Sequence, residues 1–130
     1  MENDINSRTI SAEKLSKKLS AANDTVLIDT LPGDHFNEVH IPGAINVCVF
    51  EVSFTENIKK IVPDKNKEII VYGSSSKSMD ALTAAEKMAR VGYRNVFALE
   101  GGLKHWLTSG MKFDGKVQLL SNKRTNSRHW

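Results

Sequence analysis

Four hydroxyls and an ammonium group crowd one short stretch of the chain. Ser74, Ser75, Ser76, Lys77 and Ser78 follow Gly73 in the run EIIVYGSSSKSMDALTAAEKMARVGY. Small polar residues between an apolar run and a helical pattern gather unpaired backbone N–H groups at the helix start, where an anion is favoured. A cysteine placed there would be held as a thiolate, ready for covalent chemistry. This stretch has no thiol. Gly73 has no side chain to react, and the serines have no visible general base to activate them. The loop also departs from the phosphate-binding pattern G-x-x-x-x-G-K-[ST]. Noncovalent chemistry remains: Gly73, Ser74, Ser75, Ser76, Lys77 and Ser78 are expected to form a weak seat for sulfate, thiosulfate or phosphate. Asp80, one turn on, opposes that charge. The alternative is that Ser76 or Ser78 simply caps the helix.

Cys48 is the only cysteine of the chain, so no internal disulfide can form. Within the apolar run AINVCVF it reads as a small hydrophobe, with a displaced nucleophile as the alternative. The four histidines, at 35, 40, 105 and 129, share no metal-ligand spacing, and no Cys-x-x-Cys accompanies them. Neither a metal nor a cofactor is expected.

Alternating elements position the loop. The segment ISAEKLSKKLS predicts a helix with Ser11 as its N-cap and Leu15 and Leu19 on one face. TVLID (25–29), AINVCVF (44–50), EIIVY (68–72) and NVFAL (95–99) read as strands. Between them lie helical patterns at 34–39, 56–62 and 79–91, and a turn at 101–102 leads into a last helix carrying Trp106. Strands apolar on both faces, alternating with helices, imply a mainly parallel α/β sheet covered on both sides. The working edge of such a sheet lies beyond the strands' carboxyl ends, where the polar loop falls.

At 130 residues the chain has the length of one domain, and its apolar and charged fractions, 40% and 25%, are ordinary for a globular protein. The net charge of +3 comes from the end: residues 115–130 hold Lys116, Lys123, Arg124 and Arg128 and no acid. The 18 basic residues less these four leave 14 against 15 acidic, a body near −1. The tail reads as a solvated terminus, with an arm for RNA or an acidic partner as the alternative. Without interleaved aromatics, nucleic acid is disfavoured. The polar start MENDINSR and the lack of a long apolar run predict no signal segment and no membrane span, hence a cytoplasmic address.

Taken together, VLID, HIPGAINV (40–47), IIVY before the loop and GYRNVFALEGGLKHW (92–106) resemble the rhodanese homology domain, in the family's order and spacing. The resemblance implies a sheet of about five strands flanked by helices, over residues 10–114, between an N-terminal extension (1–9) and the basic tail (115–130). It also implies thiosulfate-type sulfurtransferase ancestry. Working members begin the loop with a cysteine that stores sulfur as a persulfide; here that position is Gly73. A variant of the family carries a second cysteine five residues on, and here that position is Ser78. Leu31 stands where many members have arginine, and His40 matches a histidine read as structural. The expectation is a non-catalytic binding or regulatory module with a small anion at the loop and room for a protein partner. The alternative is a sulfurtransferase that carries sulfur on Cys48.

Overall fold

The computed structural model describes residues 8–21 and 24–116. The expected basic tail therefore lies, but for its first two residues, outside the described part. Five strands, β1 (Thr9–Ile10), β2 (Val26–Asp29), β3 (Ile45–Asn46), β4 (Ile69–Tyr72) and β5 (Val96–Leu99), form one sheet in the order β1-β5-β4-β2-β3. Every pairing is parallel. The mainly parallel α/β sheet read from the sequence is thus the one the chain forms.

Strand β4 is central, and all four of its residues are buried. Because side chains alternate along a strand, Ile69 and Val71 enter one core while Ile70 and Tyr72 enter the other. Helices α3 (Phe54–Ile61) and α4 (Asp80–Arg90) cover the first face through Phe54, Ile58, Ala84, Ala85 and Met88. Helices α1 (Ala12–Ser20) and α5 (Gly102–Thr108) cover the second through Leu15, Leu103 and Trp106. A short helix, α2 (Gly33–Glu38), follows β2 and buries no side chain. Ser11 caps α1 as its sequence predicts, with Oγ accepting from the Lys14 N–H at 3.1 Å.

Two readings change. The run 44–50 is not one strand: only Ile45 and Asn46 enter the ladder. Val47 and Val49 still donate to the carbonyls of Asp29 and Thr30, but the chain then turns to reach α3. Val47, Cys48 and Val49 are buried in that turn, so the apolar run marked burial rather than extension. Strand β1, two residues long, pairs Thr9 with Ala98 and Ile10 with Leu99. It is too short to leave a periodic signal. Among the described residues no helix is long and apolar enough to cross a membrane.

Candidate functional site

The polar loop leaves β4 at Gly73 and enters α4 at Asp80. Two backbone bonds fix its start: the Gly73 carbonyl accepts from the Leu103 N–H at 2.9 Å, and the Ser74 carbonyl from the Lys104 N–H at 2.8 Å. Helix α5 thereby grips the loop from below. The grip requires Gly102, whose φ is +62°; a Cβ there would lie 2.8 Å from both the Gly73 carbonyl oxygen and the Ser75 nitrogen. That is inside the contact distance of real side chains, and the left-handed φ independently favours glycine.

Some of the loop's own N–H groups are spent within it. Ser75 accepts twice, from the Ser78 N–H through its carbonyl at 3.1 Å and from the Lys77 N–H through Oγ at 3.3 Å. Ser78 Oγ accepts from the Asp80 N–H at 3.1 Å. Ser78, rather than Ser76, therefore serves the start of α4, while the residue at the cap position, Met79, makes no side-chain capping bond. Among the described residues the N–H groups of Ser74, Ser75 and Ser76 have no hydrogen-bond acceptor.

The direction in which a reactive group would project from residue 73 is defined. A Cβ on Gly73 would lie 3.0 Å from Asp80 Cβ and 3.3 Å from both the Ala81 nitrogen and Ser78 Oγ. It would point over the first turn of α4, where a thiolate would meet the helix's unpaired N–H groups. No atom of Gly73 extends there.

An open cleft of about 500 Å³ lies on the α5 side of the loop, lined by Ser75, Ser76, Lys77, Glu100, Gly101, Lys104, His105 and Thr108. Sequence reading missed Glu100, Lys104, His105 and Thr108. They lie 23 to 31 residues beyond Lys77 and meet the loop because β4 and β5 are parallel neighbours, so their carboxyl ends emerge side by side. The adjacency of β4 and β5 was the available signal. Cys48 stands elsewhere, 8% exposed, in a different depression with Gly33, Asn46, Glu51, Asn57, Lys60 and Ile61. None of the residues lining one depression lines the other.

At the end of β2, paired with Tyr72 just before the loop, lies a buried carboxyl. Asp29 is fully buried; its Oδ1 accepts from the Leu31 N–H at 2.8 Å, while among the described residues Oδ2 has no partner. Burial pushes its pKa above the ordinary 3.8, and the nearby Tyr72 hydroxyl, the Leu31 N–H and His40 offset only part of that. The Tyr72 phenol is raised in turn, by its own burial first and by the Asp29 charge second. Tyr72 Oη accepts from the Ile41 N–H at 3.0 Å, tying the turn 41–43 to β4. His40 stacks on Phe36 with ring centroids 3.8 Å apart, and its Nδ1 lies 2.7 Å from the Phe36 carbonyl. Both contacts tie it to α2. Among the described residues no group of three potential ligands is placed to hold a metal.

Fold and loop together define a five-stranded parallel α/β domain with a polar loop at the carboxyl end of its central strand. The rhodanese-like domain model matches residues 11–109, and the chain belongs to that family, whose members include sulfurtransferases. It is 30% identical over 83 residues to the protein YibN of Escherichia coli K12, covering 64% of this chain and 56% of YibN. The chain thus spans little more than half the length of that relative. The BH2092 protein of Bacillus halodurans superposes with a TM-score of 0.76 at 26% identity, over 85% of this chain and 79% of that one. A structure described as rhodanese with anions from E. coli superposes with a TM-score of 0.58 at 30% identity, over 71% of this chain and 99% of that one.

Proposed function

We propose that this domain is a non-catalytic member of its family, a binding or regulatory module that holds a small anion at the loop Gly73–Ser78. The observation that carries the reading is Gly73 itself. A persulfide cycle needs sulfur on the side chain that projects over the start of α4, and residue 73 has no side chain. The serine hydroxyls do not substitute, because oxygen cannot hold a transferable sulfane sulfur and nothing in the loop activates them. Losing a covalent nucleophile costs on the order of 10⁶ in rate in the best-studied hydrolases, so residual turnover from the loop would be negligible. The N–H groups of Ser74, Ser75 and Ser76, with Lys77, support the anion seat, and the similar E. coli rhodanese described with anions supports it further. A cytoplasmic address fits a chain whose single cysteine cannot form an internal disulfide.

Incubation with thiosulfate followed by intact-mass measurement tests the reading. The expected result is an unchanged mass; gain of one sulfur atom would overturn it. If sulfur is gained, Cys48→Ser decides the carrier: loss of the adduct in that variant would assign the sulfurtransferase alternative to Cys48.

A further inference from the structure

An anion at the loop has two flanks to choose between. On the flank toward which a residue-73 side chain would project, Asp80 puts a carboxylate in the first turn of α4, and Ser78 Oγ has already taken the Asp80 N–H. That charge opposes a second anion. The other flank is the 500 Å³ cleft, and Gly73, Ser78 and Asp80 do not line it.

Two ammonium groups, of Lys77 and Lys104, line this cleft from different elements, and among the described residues neither forms an ion pair. Glu100 shares the same walls, yet its carboxylate accepts from the Thr9 hydroxyl at 2.9 Å instead of pairing with either lysine. Two unpaired cations on one concavity favour an anion between them. Hydroxyls surround them: Ser75 Oγ uses a lone pair on the Lys77 N–H and keeps its proton to donate, and Thr108 Oγ1 donates to the His105 carbonyl at 3.2 Å and keeps its lone pairs. His105 Nε2 lies 3.4 Å from Ser109 Oγ, leaving Nδ1 as the ring's other hydrogen-bonding atom.

Glu100 sets the choice among anions. Sulfate and thiosulfate are all-acceptor ions: they cannot donate to the carboxylate and are repelled by it. A phosphate monoester carrying a hydroxyl can satisfy both walls at once. We propose that the cleft binds a small hydroxylated phosphate monoester, with the phosphate on Lys77 and Lys104 and a hydroxyl donating to Glu100. This rests on reading the chain as a binding module, and it places the ligand on the α5 side of the loop rather than over the start of α4. The cleft's volume is within the range of small-molecule sites.

Amide-shift titration of the full chain, with glycerol 3-phosphate and with sodium sulfate at equal ionic strength, tests this. Glycerol 3-phosphate is expected to move residues 75–77 and 101–108 and to bind about tenfold more tightly than sulfate, the low end for one hydrogen bond to a charged group. Lys104→Ala should weaken it by a similar factor. Glu100→Gln should weaken glycerol 3-phosphate and strengthen sulfate. Shifts confined to residue 73 and residues 78–81 would sink the cleft while leaving an anion at the loop. Equal affinities unchanged by Glu100→Gln would sink the phosphate-monoester assignment. Absence of any shift would sink the cleft and the anion seat together, and the thiosulfate mass experiment would still judge the non-catalytic reading by itself.

Discussion

Replacing Gly73 by alanine isolates the space over the first turn of α4. The new Cβ would stand 3.0 Å from Asp80 Cβ and 3.3 Å from Ser78 Oγ and the Ala81 nitrogen. Ser78 can rotate away only by releasing the Asp80 N–H, a bond worth about 1 kcal/mol. Asp80 Cβ and the Ala81 nitrogen are fixed by the helix backbone, so relief there requires the turn to shift. Overpacking of this kind costs about 1–3 kcal/mol. The unfolded chain pulls the other way: residue 73 does not have a positive φ, so alanine also removes unfolded-state freedom and returns about 0.4–1 kcal/mol. Crowding outweighs that gain, leaving a net loss of about 1–2 kcal/mol.

With a urea slope of about 1–3 kcal/mol/M for a domain of this size, the midpoint should fall by roughly 0.5–1 M. Asp80→Gly removes the closest contact, so the two substitutions should be coupled by about 1 kcal/mol in a double-mutant cycle. A Gly73→Ala variant as stable as the parent, or strictly additive with Asp80→Gly, would refute the crowding.

Four further outcomes follow from the same geometry. Gly73→Cys should take up sulfur from thiosulfate slowly, because the Asp80 charge raises the thiol's pKa; Gly73→Cys/Asp80→Ala should load faster, and intact mass against time compares them. Gly102→Ala should cost about 2–4 kcal/mol in urea unfolding, from the left-handed φ and the contact with the Gly73 carbonyl. Ser78→Ala should cost about 1 kcal/mol by the same assay, from the lost bond to the Asp80 N–H. Asp29 binds its proton more tightly folded than unfolded, so its linkage makes stability fall as pH rises from near 3.8 through the raised folded value. Asp29→Asn should remove that slope and gain on the parent toward neutrality, and urea midpoints across the acid-to-neutral range would show it.

The sheet was legible because each strand of the buried centre is an unbroken apolar run. IIVY and VLID carry no polar face to confuse with a surface, and the helical pattern of α4 is long enough to assert itself. The same rule misled at AINVCVF. Apolarity reports burial, and three buried residues there sit in a turn held by the carbonyls of Asp29 and Thr30. The position of Gly73 was legible since a loop after a central parallel strand can go only to one edge. The cleft's far wall was not. Lys104 and His105 look like ordinary exposed positions of a short helix, and only the pairing of β4 with β5 carries them to Lys77. Asp29 was equally hidden, because a carboxyl closing an apolar strand looks like a turn residue until the turn folds over it.

The loop's architecture also explains how its shape holds without a side chain at residue 73. The Gly73 and Ser74 carbonyls are held by α5, the turn is closed by Ser75, and the entry to α4 is served by Ser78. None of these bonds involves a side chain at residue 73. A cysteine there would add a thiol to a scaffold whose geometry is set by Gly102 and by the register of β4 and β5, and the cavity walls stand without one.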